Sequence, residues 1–170
     1  MSSALISYAF SSCYQLEGSP GTTLIYMGST ALKIMDYTIT SSGSYQGTAV
    51  ATGNYRSLAF PSGPTYYLGL NSSRILHKMN KSNNAQTGSY NLGNASSSFG
   101  AMHPVSSTNY VGITHATNGY MIDHTNMTLK YTTSLAYYIQ DFKEVDGTYF
   151  VGIENTSYIN YFSFKACPAN

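Results

Sequence analysis

Residues 65–80 read TYYLGLNSSRILHKMN, and this stretch contains the pattern that decides the fold. It has a hydroxyl residue, two tyrosines, an apolar run broken by one glycine, a polar turn and a second apolar run. The same order of features occurs three more times, as TTLIYMGSTALKIMDYT from residue 22, NYVGITHATNGYMIDHT from residue 109 and GTYFVGIENTSYINYF from residue 147. The chain is therefore built from four copies of one unit.

The spacing of the copies indicates the architecture. One glycine aligns across the four stretches, at Gly28, Gly69, Gly112 and Gly152, with intervals of 41, 43 and 40 residues. A period near 40 residues with strand-like composition is typical of propeller blades, each a four-stranded antiparallel sheet. Helices have almost no support, because no long 3.6-residue periodicity is present. The sequence predicts an all-β, four-bladed β-propeller of four-stranded antiparallel blades.

Each unit reads as four strands separated by turns. The blades are predicted over residues 12–50, 55–93, 97–133 and 135–165, in a single domain that takes in the whole chain. The second strands, LIYM, YYLGL, YVGI and YFVGI, are apolar throughout, as in strands that are covered on both faces. We expect the recurring glycine to mark a point where a side chain would not fit between neighbouring sheets.

The four-strand pattern lacks one strand at the C-terminal end of the chain and has one strand too many at the N-terminal end. The fourth unit stops at KACPAN without an outer strand, and ALISYAF, residues 4–10, precedes the inner strand of the first unit. A ring closed by residues 4–10, paired beside YINYFSF as the outer strand of the last blade, accounts for both and removes an unpaired edge. The alternative is a partial propeller that another copy or another chain completes.

The two cysteines, Cys13 and Cys167, lie near opposite ends of the sequence. Ring closure would bring them together, because each follows one of the two strands that would pair. A disulfide between them would then close the domain. The alternative is two unrelated buried thiols.

The tyrosine–glycine strand pair of the unit resembles the degenerate YVTN or WD-like propeller repeats. Repeat length and layout are similar to those of the four-bladed hemopexin-type domains, in which a disulfide likewise joins the first and last blades. The C-terminal ACPAN resembles the start of cysteine-rich modules in large protist surface proteins, which implies a piece of a longer extracellular chain. These resemblances carry over no ligand or metal site.

Polarity in this chain comes from hydroxyl and amide groups. Only 9% of the residues are charged, against roughly 25% in ordinary domains, whereas serine and threonine together number 42. The formal net charge of +1 provides no basic field for phosphates, so no nucleic-acid partner is expected. No apolar run approaches the roughly 18 residues of a membrane span. MSSALISYAF lacks the features of a signal peptide, so we expect a leaderless or a trimmed chain.

Two of the four histidines could lie close enough together to form half of a metal site. A two-residue type I′ turn at Asn118-Gly119 would place His115 opposite Ile122 and bring it to the same face as His124. No acidic or cysteine side chain joins the pair on that face, so the sequence favours structural histidines and no bound metal.

The acidic residues do not form a catalytic pattern. Asp141, Glu144 and Asp146 surround one turn, which predicts a solvated acidic loop. The sequence has no phosphate-binding glycine loop, nucleophile elbow or paired CxxC motif. We therefore expect no catalytic residues, no cofactor and no metal.

Five Asn-x-Ser/Thr sequons are candidate glycosylation sites, and ordinary polar turns in a Ser/Thr-rich chain explain them equally well. They begin at Asn71, Asn80, Asn94, Asn126 and Asn155.

The composition favours a contact surface over an enzyme. We expect an extracellular or cell-surface binding module that contacts protein or glycan surfaces or associates with itself, as in an adhesive, coat or filament assembly. The alternatives are a small multivalent lectin and, third, an enzyme such as a glycosidase. The predicted ligand loops lie at one end of the ring and include Asn71, Ser72, Asn118, Asn155 and Thr156.

Overall fold

The computed structural model describes residues 10–15, 23–28, 34–39, 45–51, 55–93, 100–146, 148–154 and 158–164. All regular structure in these residues is β-strand, and fifteen strands form four antiparallel sheets in which neighbours in sequence pair. The predicted all-β fold of antiparallel, mostly four-stranded sheets is confirmed. The described residues include no helix that could cross a membrane.

The strands follow one another through the sheets in chain order. The first sheet contains β1 (Phe10–Gln15), β2 (Thr23–Gly28), β3 (Ile34–Ile39) and β4 (Tyr45–Ala51). The second contains β5 (Tyr55–Ala59), β6 (Tyr66–Asn71), β7 (Ile75–Asn80) and β8 (Gln86–Asn91). The third contains β9 (Gly100–Pro104), β10 (Tyr110–His115), β11 (Asn118–Asp123) and β12 (Thr128–Ser134). The fourth contains β13 (Ile139–Glu144), β14 (Tyr149–Glu154) and β15 (Ile159–Ser163).

The last residue of the strand predicted over residues 4–10 lies in a different sheet from the one predicted. Phe10 begins β1 and lies opposite Gly28 of β2, so it belongs to the first sheet and does not pair beside β15. The register of the β1–β2 pair shifts between Phe10 and Ser12, as it does at a β-bulge. Residues 4–9 lie outside the described residues. Within the described residues, β15 pairs only with β14.

Neighbouring sheets pack through their inner strands. β5 contacts β9 and β9 contacts β13, while the first sheet reaches the second through β2 and β5. One hydrophobic cluster lies between the second and third sheets, and another lies between the third and fourth. Contacts between the first strands of successive sheets are the arrangement of propeller blades around an axis.

The second strands of the middle sheets are covered on both faces, as predicted from their continuous apolar sequences. Residues 67–70 of β6 and 111–115 of β10 are all buried. The corresponding strand of the fourth sheet departs from this expectation, because Tyr149 and Ile153 of β14 are both exposed. Within the described part of the chain, the fourth sheet is therefore covered on one face only.

The recurring glycines are points of close packing in three of the sheets. A Cβ on Gly69 would lie 2.7 Å from Tyr55 Cε1, and one on Gly152 would lie 2.6 Å from Ile139 Cγ2. A Cβ on Gly112 would lie 2.6 Å from Phe164 Cε2. Real Cβ atoms do not approach other heavy atoms so closely, so a side chain does not fit at these three positions. The predicted close approach between neighbouring sheets is confirmed at Gly112, whereas Tyr55 and Ile139 belong to the same sheets as Gly69 and Gly152.

The hairpin turn predicted at Asn118-Gly119 is wrong. The turn consists of Ala116 and Thr117, and Asn118 and Gly119 are the first two residues of β11. A Cβ on Gly119 would lie 2.9 Å from Phe164 Cδ1, so this glycine is needed inside the sheet, beneath the ring. The left-handed turn position falls to Ala116, with φ of 52°.

Candidate binding groove

A groove of about 610 Å³ lies at the end of the sheets where inner strands turn into second strands. It runs between the turn that follows β5, at residues 60–65, and the turn that follows β9, at residues 105–109. Since adjacent strands are antiparallel, this end is opposite to the turns that join second and third strands. The volume falls in the range of natural ligand sites, which is roughly 300–1,000 Å³.

The groove combines apolar and neutral polar surface. Its apolar part is formed by Phe60, Pro61, Pro104 and Val105. Its polar part consists of hydroxyl and amide side chains, and all five of these residues are exposed: Ser62, Ser106, Ser107, Thr108 and Asn109. Among the described lining residues only His103 can ionise near neutral pH.

The turn after β9 is held by its own hydrogen bonds. The Val105 carbonyl accepts the Thr108 hydroxyl at 2.9 Å, and the Thr108 hydroxyl oxygen accepts the Tyr110 backbone N–H at 3.1 Å. The backbone N–H of Val105 donates to the Tyr110 carbonyl at 2.9 Å. Ser107 at the tip has a φ of 58°, in the left-handed region. These bonds fix the polar wall of the groove before any ligand arrives.

The adjacent turn of the fourth sheet supports this wall. Glu144 Oε2 accepts the backbone N–H of Ser106 at 2.7 Å. Asp146 Oδ1 accepts the backbone N–H groups of Thr148 and Tyr149 at 3.0 and 2.9 Å, and these bonds lower the pKa of Asp146. Both carboxylates therefore bond to backbone groups of turns.

His103 brings a neutral imidazole to the groove. Its ring meets the ring of Phe142 edge to face, with centroids 6.1 Å apart. Burial lowers the pKa of His103 and the Lys143 ammonium lowers it further, while the carboxylates of Glu144 and Asp141 oppose the shift. A neutral imidazole can donate one hydrogen bond and accept another, which suits an uncharged ligand.

The ligand loops predicted from the sequence lie at the other end of the sheets. Asn71 begins the β6–β7 turn, where its side-chain oxygen accepts the Ile75 backbone N–H at 2.9 Å, and Ser72 is exposed beside it. Asn118 is the first residue of β11, and Asn155 and Thr156 lie outside the described residues. Their role as a binding site stays a prediction.

The candidate glycosylation sites differ in their surroundings. Asn80 accepts hydrogen bonds from the backbone and the hydroxyl of Ser82, both at 2.8 Å. Asn126 is exposed and its amide donates to Asp123 Oδ2 at 2.9 Å. Asn71 is half-buried, and Asn94 and Asn155 lie outside the described residues.

The two histidines predicted to share a face are not brought together. The shift of the turn to residues 116–117 places His115 opposite Asn118 at one end of the hairpin. His124 lies at the other end, where its backbone N–H donates to the Asn109 carbonyl at 2.9 Å. The described residues contain no group of three or more His, Cys, Asp or Glu side chains that could hold a metal ion.

His124 instead joins the second sheet to the third. The Tyr66 hydroxyl is hydrogen-bonded to His124 Nδ1 at 2.7 Å. Lys78 Nζ donates to the Thr125 carbonyl at 2.8 Å and lies 4.4 Å from the centroid of the Tyr66 ring. Burial lowers the pKa of His124, the Asp123 carboxylate opposes this shift, and the Lys78 ammonium adds to it.

Sequence reasoning missed the groove, although a repeated signal was present. FPS at residues 60–62 and HPVS at residues 103–106 both place a ring, a proline and then a serine where an inner strand ends. Proline and serine are turn residues, and two such turns at one position of neighbouring sheets lie side by side. The fourth unit has KEVDGT at this position and does not share the pattern.

No protein-family model matches the sequence, and no curated protein is similar to it. Among solved structures, the chain is similar to the WD40 beta propeller domain of Doa1, with 10% sequence identity and a TM-score of 0.68 over 91% of this chain and 50% of that one. It is also similar to a chain of the mitotic checkpoint complex, with 7% identity and a TM-score of 0.66 over 84% of this chain and 45% of that one.

This likeness shows the fold, which is that of a β-propeller, and confirms the propeller repeat predicted from the sequence. The chain spans about half the length of both matched chains. The resemblances to hemopexin-type domains and to protist surface proteins stay predictions.

Proposed function

We propose that this chain is a binding scaffold whose groove beside His103 takes an extended, uncharged segment of a partner protein. The observation that carries the proposal is the lining of the groove, in which apolar prolines and Phe60 face a rigid wall of exposed hydroxyl and amide groups. Propellers suit this role because turns from neighbouring blades meet at one end of the ring.

The chemistry of the lining favours a peptide-like occupant. Proline and aromatic surfaces accept apolar side chains, while neutral hydroxyls and a neutral imidazole match backbone amide and carbonyl groups in hydrogen bonding. Among the residues that the structure describes, the lining contains no acidic, lysine or arginine residue, and burial together with the Lys143 ammonium lowers the pKa of His103, so the lining presents little fixed charge to a ligand.

The test uses a random linear peptide library panned against the immobilised domain, with a glycan array in parallel. The variant Ser62→Arg/Asn109→Arg places bulk and charge on both sides of the groove, and Gln86→Arg/Ser89→Arg is the matched control on exposed positions of β8. We expect selected peptides to bind the groove variant at least about tenfold more weakly than the control. Both variants should keep the wild-type melting temperature, because exposed positions hold little of the core.

Equal binding by the groove variant and the control would overturn the proposal. Binding on the glycan array alone would instead support the lectin predicted as the alternative.

We further propose an extracellular or cell-surface location and a role without catalysis. The support is the sparse charge, the hydroxyl-rich composition and the two cysteines of the sequence, together with carboxylates that bond to turns. Turnover of glycosides at about 1 per second or faster that is lost on replacing one acidic residue would contradict the second part.

Closure of the ring by the N-terminal segment is part of the same proposal. The fourth sheet has three strands among the described residues, and the predicted outer strand, now limited to residues 4–9, would pair along β15. That pairing within one chain would give the closed four-bladed ring, and between two chains it would give a larger one.

A further inference from the structure

The fourth sheet carries a large exposed apolar surface. Ile159 and Tyr161 of β15 are 70% and 75% exposed, and Tyr149 and Ile153 of β14 are each 53% exposed. The strand register places Ile153 opposite Ile159 and Val151 opposite Tyr161, so these residues share one face of the sheet. We call this surface, formed by Tyr149, Val151, Ile153, Ile159 and Tyr161, the outer face.

The outer face does not have the composition of a solvated face. The opposite face of the same strands packs against the third sheet, where Phe150 is buried in a cluster that includes Ala101 and Met121. A strand with one wet face alternates apolar and polar residues, whereas β14 is apolar on both faces, and the charges on the outer side come from the neighbouring strand β13. Exposed apolar surfaces of this kind mark interaction sites in soluble proteins.

The position of the outer face in the propeller indicates what covers it. Inner strands contact one another from the second sheet to the fourth, so the outer face of the fourth sheet is where the next blade would pack. The chain spans 50% of the propeller domain to which it is similar, while 91% of its own residues are matched. The four sheets thus match an arc of about half of that propeller.

The first sheet has the sequence of a matching partner at the other end of this arc. The sequence of its second strand, TLIYMG, is apolar or aromatic at four consecutive positions, 24–27, as expected for a strand without a polar side. A strand that is apolar on both sides is typical of a sheet covered on both faces. The first sheet has a packing neighbour within the chain on the side of the second sheet, through β2 and β5.

We propose that two copies of this chain complete one ring, in which the outer face of the fourth sheet of each copy packs against the first sheet of the other. A two-fold axis makes both interfaces identical and closes the assembly. The inner strand β13 adds Asp141 and Lys143 to this surface, and their exposed charges are of opposite sign. The formal net charge of the chain is only +1, so repulsion between two copies is weak.

The first test is the molar mass of the whole chain by sedimentation or by light scattering after gel filtration. The wild type is expected to be a dimer. Ile159→Lys/Tyr161→Lys, which places two charges on the outer face, should be a monomer, with a dissociation constant raised about a hundredfold or more. The matched control is Thr132→Lys/Ser134→Lys on the exposed outer strand β12 of the third sheet, and it should remain a dimer.

A second measurement separates the ring from a dimer in which two outer faces pack against each other. A tagged Ile159→Lys/Tyr161→Lys chain keeps an intact first sheet and should capture untagged wild type through one remaining interface. Face-to-face packing allows no such capture, because one of the two outer faces is charged.

The proposal is overturned by a wild type that stays monomeric at every concentration, by an outer-face variant that still dimerises, or by failure of the mixed capture. Circular dichroism and thermal melting check that the variants fold. Groove variants such as Ser62→Arg/Asn109→Arg should leave the dimer intact, so loss of ligand binding and loss of the ring are separate results.

Discussion

Single residues without a side chain set the distance between strands and aromatic rings in this protein. Gly112 and Gly119 lie on adjacent strands, and both face the ring of Phe164, which reaches across from the end of the fourth sheet. Phe164 is 1% exposed and contacts Phe150 edge to face at 4.9 Å between centroids. The glycines thus make room for the aromatic cluster that joins the third sheet to the fourth.

Replacing Gly112 by alanine should therefore destabilise the fold. The new Cβ would lie 2.6 Å from Phe164 Cε2, so the ring must shift, and overpacking of this kind costs about 1–3 kcal/mol. The control is Gly88→Ala, where the nearest atom is Cγ of Met127 at 3.2 Å, in a side chain that can move. Urea unfolding measures both free energies. Equal stabilities for the two variants would show that the ring contact does not limit the site.

Three histidines, one buried and two half-buried, should make the protein less stable in acid. Burial lowers the pKa of His124, and similarly those of His77 and His103, below the ordinary value of 6.5. The unfolded chain then takes up protons before the folded one as the pH falls below about 6.5, so the free energy of unfolding decreases. Above that pH the rings are neutral in both states and this contribution is fully present.

His124 is the sharpest probe of this effect, because it is 1% exposed and, within the described part of the chain, its Nε2 has no hydrogen-bond partner. We expect His124→Gln to show a smaller loss of unfolding free energy than the wild type between about pH 7.5 and pH 5. His77 and His103 are present in both proteins, so their contributions to the pH dependence cancel in the difference. Parallel pH profiles for the two proteins would exclude His124 as a source of the acid sensitivity.

At the scale of elements, local turn preference and packing compete in the β10–β11 hairpin. Asn-Gly is the strongest short hairpin signal, yet Asn118 and Gly119 lie inside β11 and the turn falls two residues earlier. The contact between Phe164 and Gly119 joins residues that are far apart in the sequence. The residues around the turn therefore cannot predict it. Strand existence and order were predictable from the repeat, whereas this register was not.

The displaced turn leaves a residue in an unfavourable conformation that a substitution can relieve. Ala116 has a φ of 52°, a region that costs a residue with a Cβ roughly 1–2 kcal/mol. Ala116→Gly should raise the free energy of unfolding by about 0.5–1 kcal/mol after the added entropy of the unfolded chain is subtracted. Thr117→Gly is the control, because its φ is not positive, and it should destabilise. A loss of stability in Ala116→Gly would contradict this account of the turn.

At the scale of the whole molecule, closure of the ring predicts a disulfide that can be detected chemically. Cys13 lies in β1, where its backbone is opposite Tyr26 of β2, and Cys167 lies outside the described residues, so their pairing stays a prediction. If the start of the first sheet and the end of the fourth meet, a disulfide would link them, and chain-entropy arguments give it about 4–5 kcal/mol. Non-reducing peptide mapping of protein from its native source measures the link.

Two free thiols in that map would count against closure and against the extracellular location. A Cys13–Cys167 peptide found in a reduction-sensitive dimer would place the link between two copies, and the same peptide in a monomer would place it within one chain. Mass spectrometry of the same sample also reports whether the five sequons carry glycans.

The sequence by itself determined the repeat, the order of the strands and the glycines that the packing requires, because strand periodicity and a period near 40 residues are local properties of the chain. Only the tertiary structure decided the position of the β10–β11 turn, the groove between the turns after β5 and β9, and the uncovered outer face of the fourth sheet. Each of these depends on which residues of distant units come into contact. A pattern that repeats in every unit cannot show where one unit differs from the others.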